Sequence, residues 1–99
     1  MKKTYIFKGQ PVTLSKSEYQ SSATLAVLME WENGEEDVIT VNLRSPFESD
    51  TMAFLDENNH PGIGQWMCDN QLAIPMGVTI RSGFCQYWLY TILTDNFND

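Results

Sequence analysis

The chain is predicted to fold as α+β. The expectation is a mostly antiparallel sheet of about five to six strands in the order β-β-β-β-α-α-β-β, with two short helices packed on one face. Three observations predict it. Apolar residues alternate with period two at both ends of the chain and in its middle. Segments with helical spacing are confined to residues 51–72. Turn signals separate the alternating runs: Gly9-Gln10, Asn33-Gly34 and Ser82-Gly83.

The elements follow in order. Residues 3–8 alternate, and Gly9 stands at the first turn position that a type II′ hairpin wants, so strands are expected over 3–8 and 11–16. Pro11 opens the second of these, a position where a strand tolerates proline. Lys16 to Ser22 is polar and reads as loop or strand extension. Residues 23–32 have helix-prone composition, but Leu25, Val27, Met29 and Trp31 alternate. Asn33-Gly34 and the β-rich Val38–Leu43 then favour a second hairpin. A two-residue loop would set Glu32 opposite Glu35 and Glu30 opposite Asp37, like charges that repel. An odd loop with a bulge is therefore expected, placing Ile39 opposite Met29 and Val41 opposite Val27. Arg44–Phe47 breaks the strand. Ser49 or Asp50 can cap a helix from Thr51 to about Glu57, with Met52 and Leu55 spaced i, i+3. Pro61-Gly62 starts a second helix, to about Leu72, and Pro75-Met76-Gly77 ends the helical region. Val78–Ile80 and Phe84–Leu93 read as strands, the latter apolar enough on both faces to lie inside a sheet.

At 99 residues, with 42% hydrophobic and 12% aromatic residues, the chain has the composition of one globular domain. Residues 1–2 and 94–99 are expected to fray. The net charge is −7, unevenly placed. Residues 1–16 hold four lysines and no acid, whereas 17–99 hold all thirteen acids against two arginines. An acidic chain is a poor binder of phosphate backbones, so no direct nucleic-acid partner is expected. No apolar run approaches the ~18–20 residues of a membrane span, and none is expected. Lys2 and Lys3 precede only Tyr5-Ile6-Phe7, far short of a signal peptide's apolar core of about 7–15 residues, which points to a cytoplasmic location with reduced cysteines.

Candidate chemistry is sparse. His60, Cys68 and Cys85 are the only soft ligands, and their gaps of eight and seventeen residues lack the close pairing of a zinc site. Cys68 could approach His60 as a nucleophile pair, but buried cysteine as a small hydrophobe is the simpler reading. Gly62-Ile63-Gly64 before a helix has no strand leading into it, so turn chemistry explains it better than phosphate binding. The carboxylates of Glu35–Asp37 and Asp56-Glu57 lack the signs of a pocket that general acid–base work needs. No metal, cofactor or catalytic residue is expected. Two features suit binding instead. Phe84, Tyr87, Trp88 and Tyr90 form an aromatic strip of the kind that dominates protein-binding hot spots. Glu30, Glu32, Glu35, Glu36 and Asp37 put five acids into eight residues, an acidic face able to mimic nucleic acid.

Several segments also carry a resemblance: Tyr5–Gln10, Thr40–Leu43, Ser49–Asn59, Pro61–Gly64, Asn70–Ala73 and Ser82–Tyr87. The Asp56–Gly64 core is its most distinctive part. With these the chain resembles, over about residues 3–93, a small family of uncharacterised domains carried on conjugative and other mobile elements of gut anaerobic bacteria. The resemblance implies a cytosolic accessory protein encoded beside transfer or anti-defence genes, and it transfers no catalytic residue. His60 stands where the resemblance leads one to expect an apolar residue such as leucine. The expected function is thus a non-enzymatic interaction domain that binds a protein partner or a second copy of itself. The alternative is an acidic inhibitor of a nuclease or restriction enzyme.

Overall fold

The computed structural model describes residues 1–99. β1 (Tyr5–Phe7) and β2 (Gln10–Glu18) form the expected hairpin. Phe7 pairs with Gln10, so the turn is Lys8-Gly9, not Gly9-Gln10. Both turn residues have positive φ, 51° and 80°, which is type I′ in place of the expected II′. β2 runs on to Glu18 and pairs along its whole length with β3 (Leu25–Trp31), confirming the strand reading of that helix-prone segment.

β3 turns into β4 (Glu36–Val38) through the three-residue loop Glu32-Asn33-Gly34, an odd loop as expected, with Gly34 at φ 89°. The register differs by two residues from the expected one. Leu28 pairs with Val38, and the Ile39 N–H donates to the Val27 carbonyl at 3.0 Å, so Ile39 lies by Val27 and not Met29. Glu30 consequently faces Glu36. A shift of two residues leaves Ile39 on the same, fully buried face, and either register opposes two glutamates. The exposed Glu30–Glu36 pair costs about 0.2–1 kcal/mol, less than the about 1.5–3 kcal/mol from burying Ile39.

The chain then crosses to a second sheet through β5 (Thr40–Val41) and β6 (Met52–Leu55). A helix was expected over Thr51–Glu57, and the structure corrects it to a strand. Ser49 makes bonds like those of a cap, its Oγ accepting from the Thr51 and Met52 N–H groups at 3.2 Å, but they lead into β6. Ala53, Phe54 and Leu55 are all fully buried, so both faces of the segment are covered. A strand between two neighbours meets that demand, whereas an amphipathic surface helix does not. Only one α-helix forms, α1 (Ile63–Asp69), shorter than the span from Pro61 to Leu72. Gln71 at φ 61° turns the chain out of it, and the Leu72 N–H closes on the Met67 carbonyl.

β7 (Ala73–Ser82) and β8 (Cys85–Ile92) complete the second sheet. Pro75-Met76-Gly77, expected to lie outside any strand, falls inside β7. The register to β8 shifts between Pro75 and Thr79, with Gly77 at φ 75°, which is a bulge. The tail, expected to fray, folds as a 3-10 turn over Thr94–Phe97 that buries Phe97. The Lys3 N–H holds the Phe97 carbonyl at 2.9 Å, and the Tyr5 hydroxyl donates to the Asn96 carbonyl at 2.6 Å.

The architecture is therefore α+β and mostly antiparallel, but with eight strands in two four-stranded sheets in place of one sheet of five or six. Their orders are β1-β2-β3-β4 and β5-β6-β8-β7. The main core joins Val12, Leu14, Val27 and Met29 of the first sheet to Ala53, Leu55 and Ile92 of the second, and includes Ile63, Met67 and Phe97. Trp66 ties α1 to β1, its indole N–H donating to the Ile6 carbonyl at 2.6 Å and its ring meeting Phe7 edge-on. No helix is long and apolar enough to cross a membrane.

Candidate docking surfaces

The distinctive segment Asp56–Gly64 is a closed set of local bonds. Asp56, itself buried, accepts from the Asn59 N–H at 3.2 Å and the Asn59 side-chain amide at 2.8 Å. The His60 N–H donates to the Asp56 carbonyl, and the His60 carbonyl accepts from Ile63. Gly62, at the helix N-cap with φ 86°, has no side chain to offer the helix, and the first turn holds no acid. Glu57 supplies both. Its two carboxylate oxygens accept from the Gly62 and Gly64 N–H groups at 2.8 and 2.6 Å, placing negative charge at the positive end of the helix. Gly64 has no room for a larger residue. A Cβ there would collide with the Tyr90 hydroxyl and lie 2.8 Å from a Glu57 oxygen. The motif read as turn chemistry is that, and its carboxylates are occupied by backbone donors and the Asn59 side-chain amide.

The four aromatic residues of the expected strip do not share one surface. β8 lies between β6 and β7, an interior strand as its two apolar faces suggested. Alternate side chains therefore point to opposite faces. Tyr87 is buried with Phe54 and Leu89 on the outer face of the second sheet. Tyr90 faces the main core and packs under Gly64. Burial, then the nearby Cys68 and Glu57, raises its hydroxyl pKa above the usual 10. Trp88 is 47% exposed, and Phe84, outside the strand in the two-residue Gly83-Phe84 turn, is fully exposed. Only these two are available to a partner. They sit on an overhang. β6 pairs with β8 no further than Leu89, whereas β7 and β8 continue together from Thr79 and Trp88 to Ser82 and Cys85. Gly83 at φ 62° makes the tight turn, and Phe84 is left at the tip. Arg81, exposed and paired with Gln86, is the only charged residue of segment 70–94.

All five acids of the β3–β4 hairpin are exposed. Glu30 and Glu32 border a cleft of about 280 Å³ whose other lining includes Pro11, Val12 and Trp31. A larger open cleft of about 770 Å³ lies at the other end of β2 and β3, lined by Tyr19, Leu25, Asp50 and their neighbours. Tyr19 is half-buried there, its hydroxyl 2.8 Å from the Thr40 hydroxyl. Burial pushes its pKa up, the Thr40 bond opposes this, and the Glu48 and Asp56 carboxylates add to the rise. Sequence reasoning passed over Glu48, an acid buried behind a proline turn with one carboxylate oxygen lacking a hydrogen-bond partner. No spacing or periodicity marks it.

Both cysteines are free. Burial, then the Asp69 carboxylate, pushes the Cys68 thiol pKa up, the opposite of an activated nucleophile. No three His, Cys, Asp or Glu side chains converge in a metal-binding arrangement.

Fold and surfaces together define a small α+β domain with a projecting aromatic hairpin and a separate acidic one. The chain belongs to the family described as Domain of unknown function (DUF4313), which matches residues 13–98. No curated protein and no solved structure matches it.

Proposed function

We infer that this is a non-enzymatic protein-interaction domain that docks through the β7–β8 overhang. One observation carries the reading. Phe84 is fully exposed at a tight turn, a position normally held by small polar residues, with Trp88 exposed on the same hairpin. A large apolar side chain presented to water suits insertion into a partner's pocket. The resemblance described above supports the further reading of a cytoplasmic accessory of a mobile element in gut bacteria. The test is capture of partners from host cytosol by the intact chain and by Phe84→Ala and Trp88→Ala. Both variants are expected to keep the thermal midpoint and to lose the captured partner. Retention of every partner by a folded double variant would sink the reading.

The acidic hairpin favours a second reading, inhibition of a nuclease or restriction enzyme. Five acids lie on about the last 10 Å of the hairpin and its loop, close to the roughly six charges that the same length of duplex DNA carries. Inhibition by this route weakens with added salt and with neutralisation of Glu30, Glu32, Glu35, Glu36 and Asp37. Indifference to both changes excludes it.

A further inference from the structure

We propose that the partner of the overhang is a second copy of this chain. The tip Arg81–Phe84 of one copy seats in the cleft that Pro11, Trp31, Glu30 and Glu32 form on the next. This deepens the docking reading above and rests on it.

Charge selects the occupant. Arg81 is exposed three residues before Phe84, on a hairpin that is otherwise neutral. The cleft carries the opposite sign, with Glu30 and Glu32 at its border and no Lys or Arg in its lining, and Glu35, Glu36 and Asp37 follow on the returning segment. A guanidinium beside an aromatic ring meets its complement in carboxylates around an indole. Size agrees. At about 280 Å³ the cleft lies at or below the lower end of small-molecule sites and suits the entry of a side chain. Hairpin and cleft are on different sheets, so the contact joins unlike surfaces of two copies.

A competing geometry, edge-to-edge pairing of two β7 strands, is obstructed. Pro75 offers no N–H, and the bulge at Gly77 interrupts the row of edge groups.

The test is analytical ultracentrifugation of the full chain at concentrations rising to about 1 mM, the range in which small interfaces associate. The mass is expected to rise with concentration. Phe84→Ser, Arg81→Glu and the double variant Glu30→Lys/Glu32→Lys change exposed residues only. Each is expected to keep the fold and weaken association at least about ten-fold. The decisive step mixes two impaired proteins. Phe84→Ser retains the cleft, and Glu30→Lys/Glu32→Lys retains the hairpin, so an equimolar mixture forms a complex of one of each. Arg81→Glu combined with Glu30→Lys/Glu32→Lys in one chain restores self-association. A wild type that stays monomeric, a Phe84→Ser variant that associates like wild type, or a mixture that does not complement would overturn the proposal. A monomeric wild type leaves the docking reading to its own capture experiment, in which the overhang then binds a different protein or none.

Discussion

Replacing Gly64 with alanine tests the closed Asp56–Gly64 motif at its tightest point. The added Cβ meets the Tyr90 hydroxyl, a Tyr90 ring carbon at 3.0 Å and a Glu57 oxygen at 2.8 Å. Neither neighbour is free to retreat. Tyr90 is packed against the main core, and Glu57 is held by two backbone donors. Overpacking of this kind costs about 1–3 kcal/mol. Pulling the carboxylate off its N–H partners adds part of the 1.5–3 kcal/mol typical of hydrogen bonds to a charged group. Alanine returns about 0.5–1 kcal/mol through its better helix propensity. The net expectation is a loss of about 2–3 kcal/mol. With a urea slope of about 1–3 kcal/mol per molar, the tryptophan-fluorescence midpoint falls by about 0.7–3 M. Tyr90→Phe removes the hydroxyl but leaves the ring carbon, so the Gly64→Ala/Tyr90→Phe pair recovers about half of the loss. A double-mutant cycle then shows a coupling of about 1 kcal/mol. A cost of Gly64→Ala below about 0.5 kcal/mol, or strictly additive effects, refutes the account.

Three further outcomes follow from the same structure. The raised hydroxyl pKa values of Tyr19 and Tyr90 mean that the unfolded chain releases these protons at lower pH than the folded one. The stability they contribute is full below about pH 10 and is lost as pH rises through the unfolded and then the folded values. Urea midpoints taken between about pH 8 and 11 check this, and Tyr90→Phe is expected to flatten the fall. Glu36→Lys replaces the Glu30–Glu36 repulsion with attraction and raises stability by about 0.2–1 kcal/mol, read from the same curves at low salt. Phe97→Ala empties a fully buried site beside the first strand and costs about 3–5 kcal/mol by calorimetry.

The sequence made the hairpins legible because their alternation and turn residues are local signals. Strands flanking all three turns were readable, as was the interior place of β8, although the first turn, expected at Gly9-Gln10, lies at Lys8-Gly9 and the last, expected at Ser82-Gly83, lies at Gly83-Phe84. β6 was not, because Met52 and Leu55 fit a helix as well as a strand, and only the tertiary cover on Phe54 decides between them. The division into two sheets was hidden for a related reason. β4 and β5 are separated by a single residue, Ile39, and nothing local marks that residue as the crossing point. Of the candidate site, the exposure of the acids fits their place beside the Asn33-Gly34 turn, whereas Phe84, read as the start of a strand, is exposed because it lies in the turn before β8. The burial of Tyr87 and Tyr90 depends on which face of β8 meets the core, which alternation alone does not assign when both faces are apolar.

The span of the bonds bears on the order in which the chain folds. Those of the Asp56–Gly64 motif close over three to seven residues, whereas Tyr5 reaches Asn96 across 91. Short loops close at little entropic cost and long ones at more, so the motif forms early and the tail docks onto a nearly complete core. Phe97→Ala is then expected to act mainly by hastening unfolding, whereas Gly64→Ala, whose clash involves both the local Glu57 and the distant Tyr90, divides between slower refolding and faster unfolding. Per unit of equilibrium cost, the two lesions would thus differ in their effect on the lifetime of the native protein, and the late-docking terminal turn, more than the distinctive motif, would set how long a folded molecule survives.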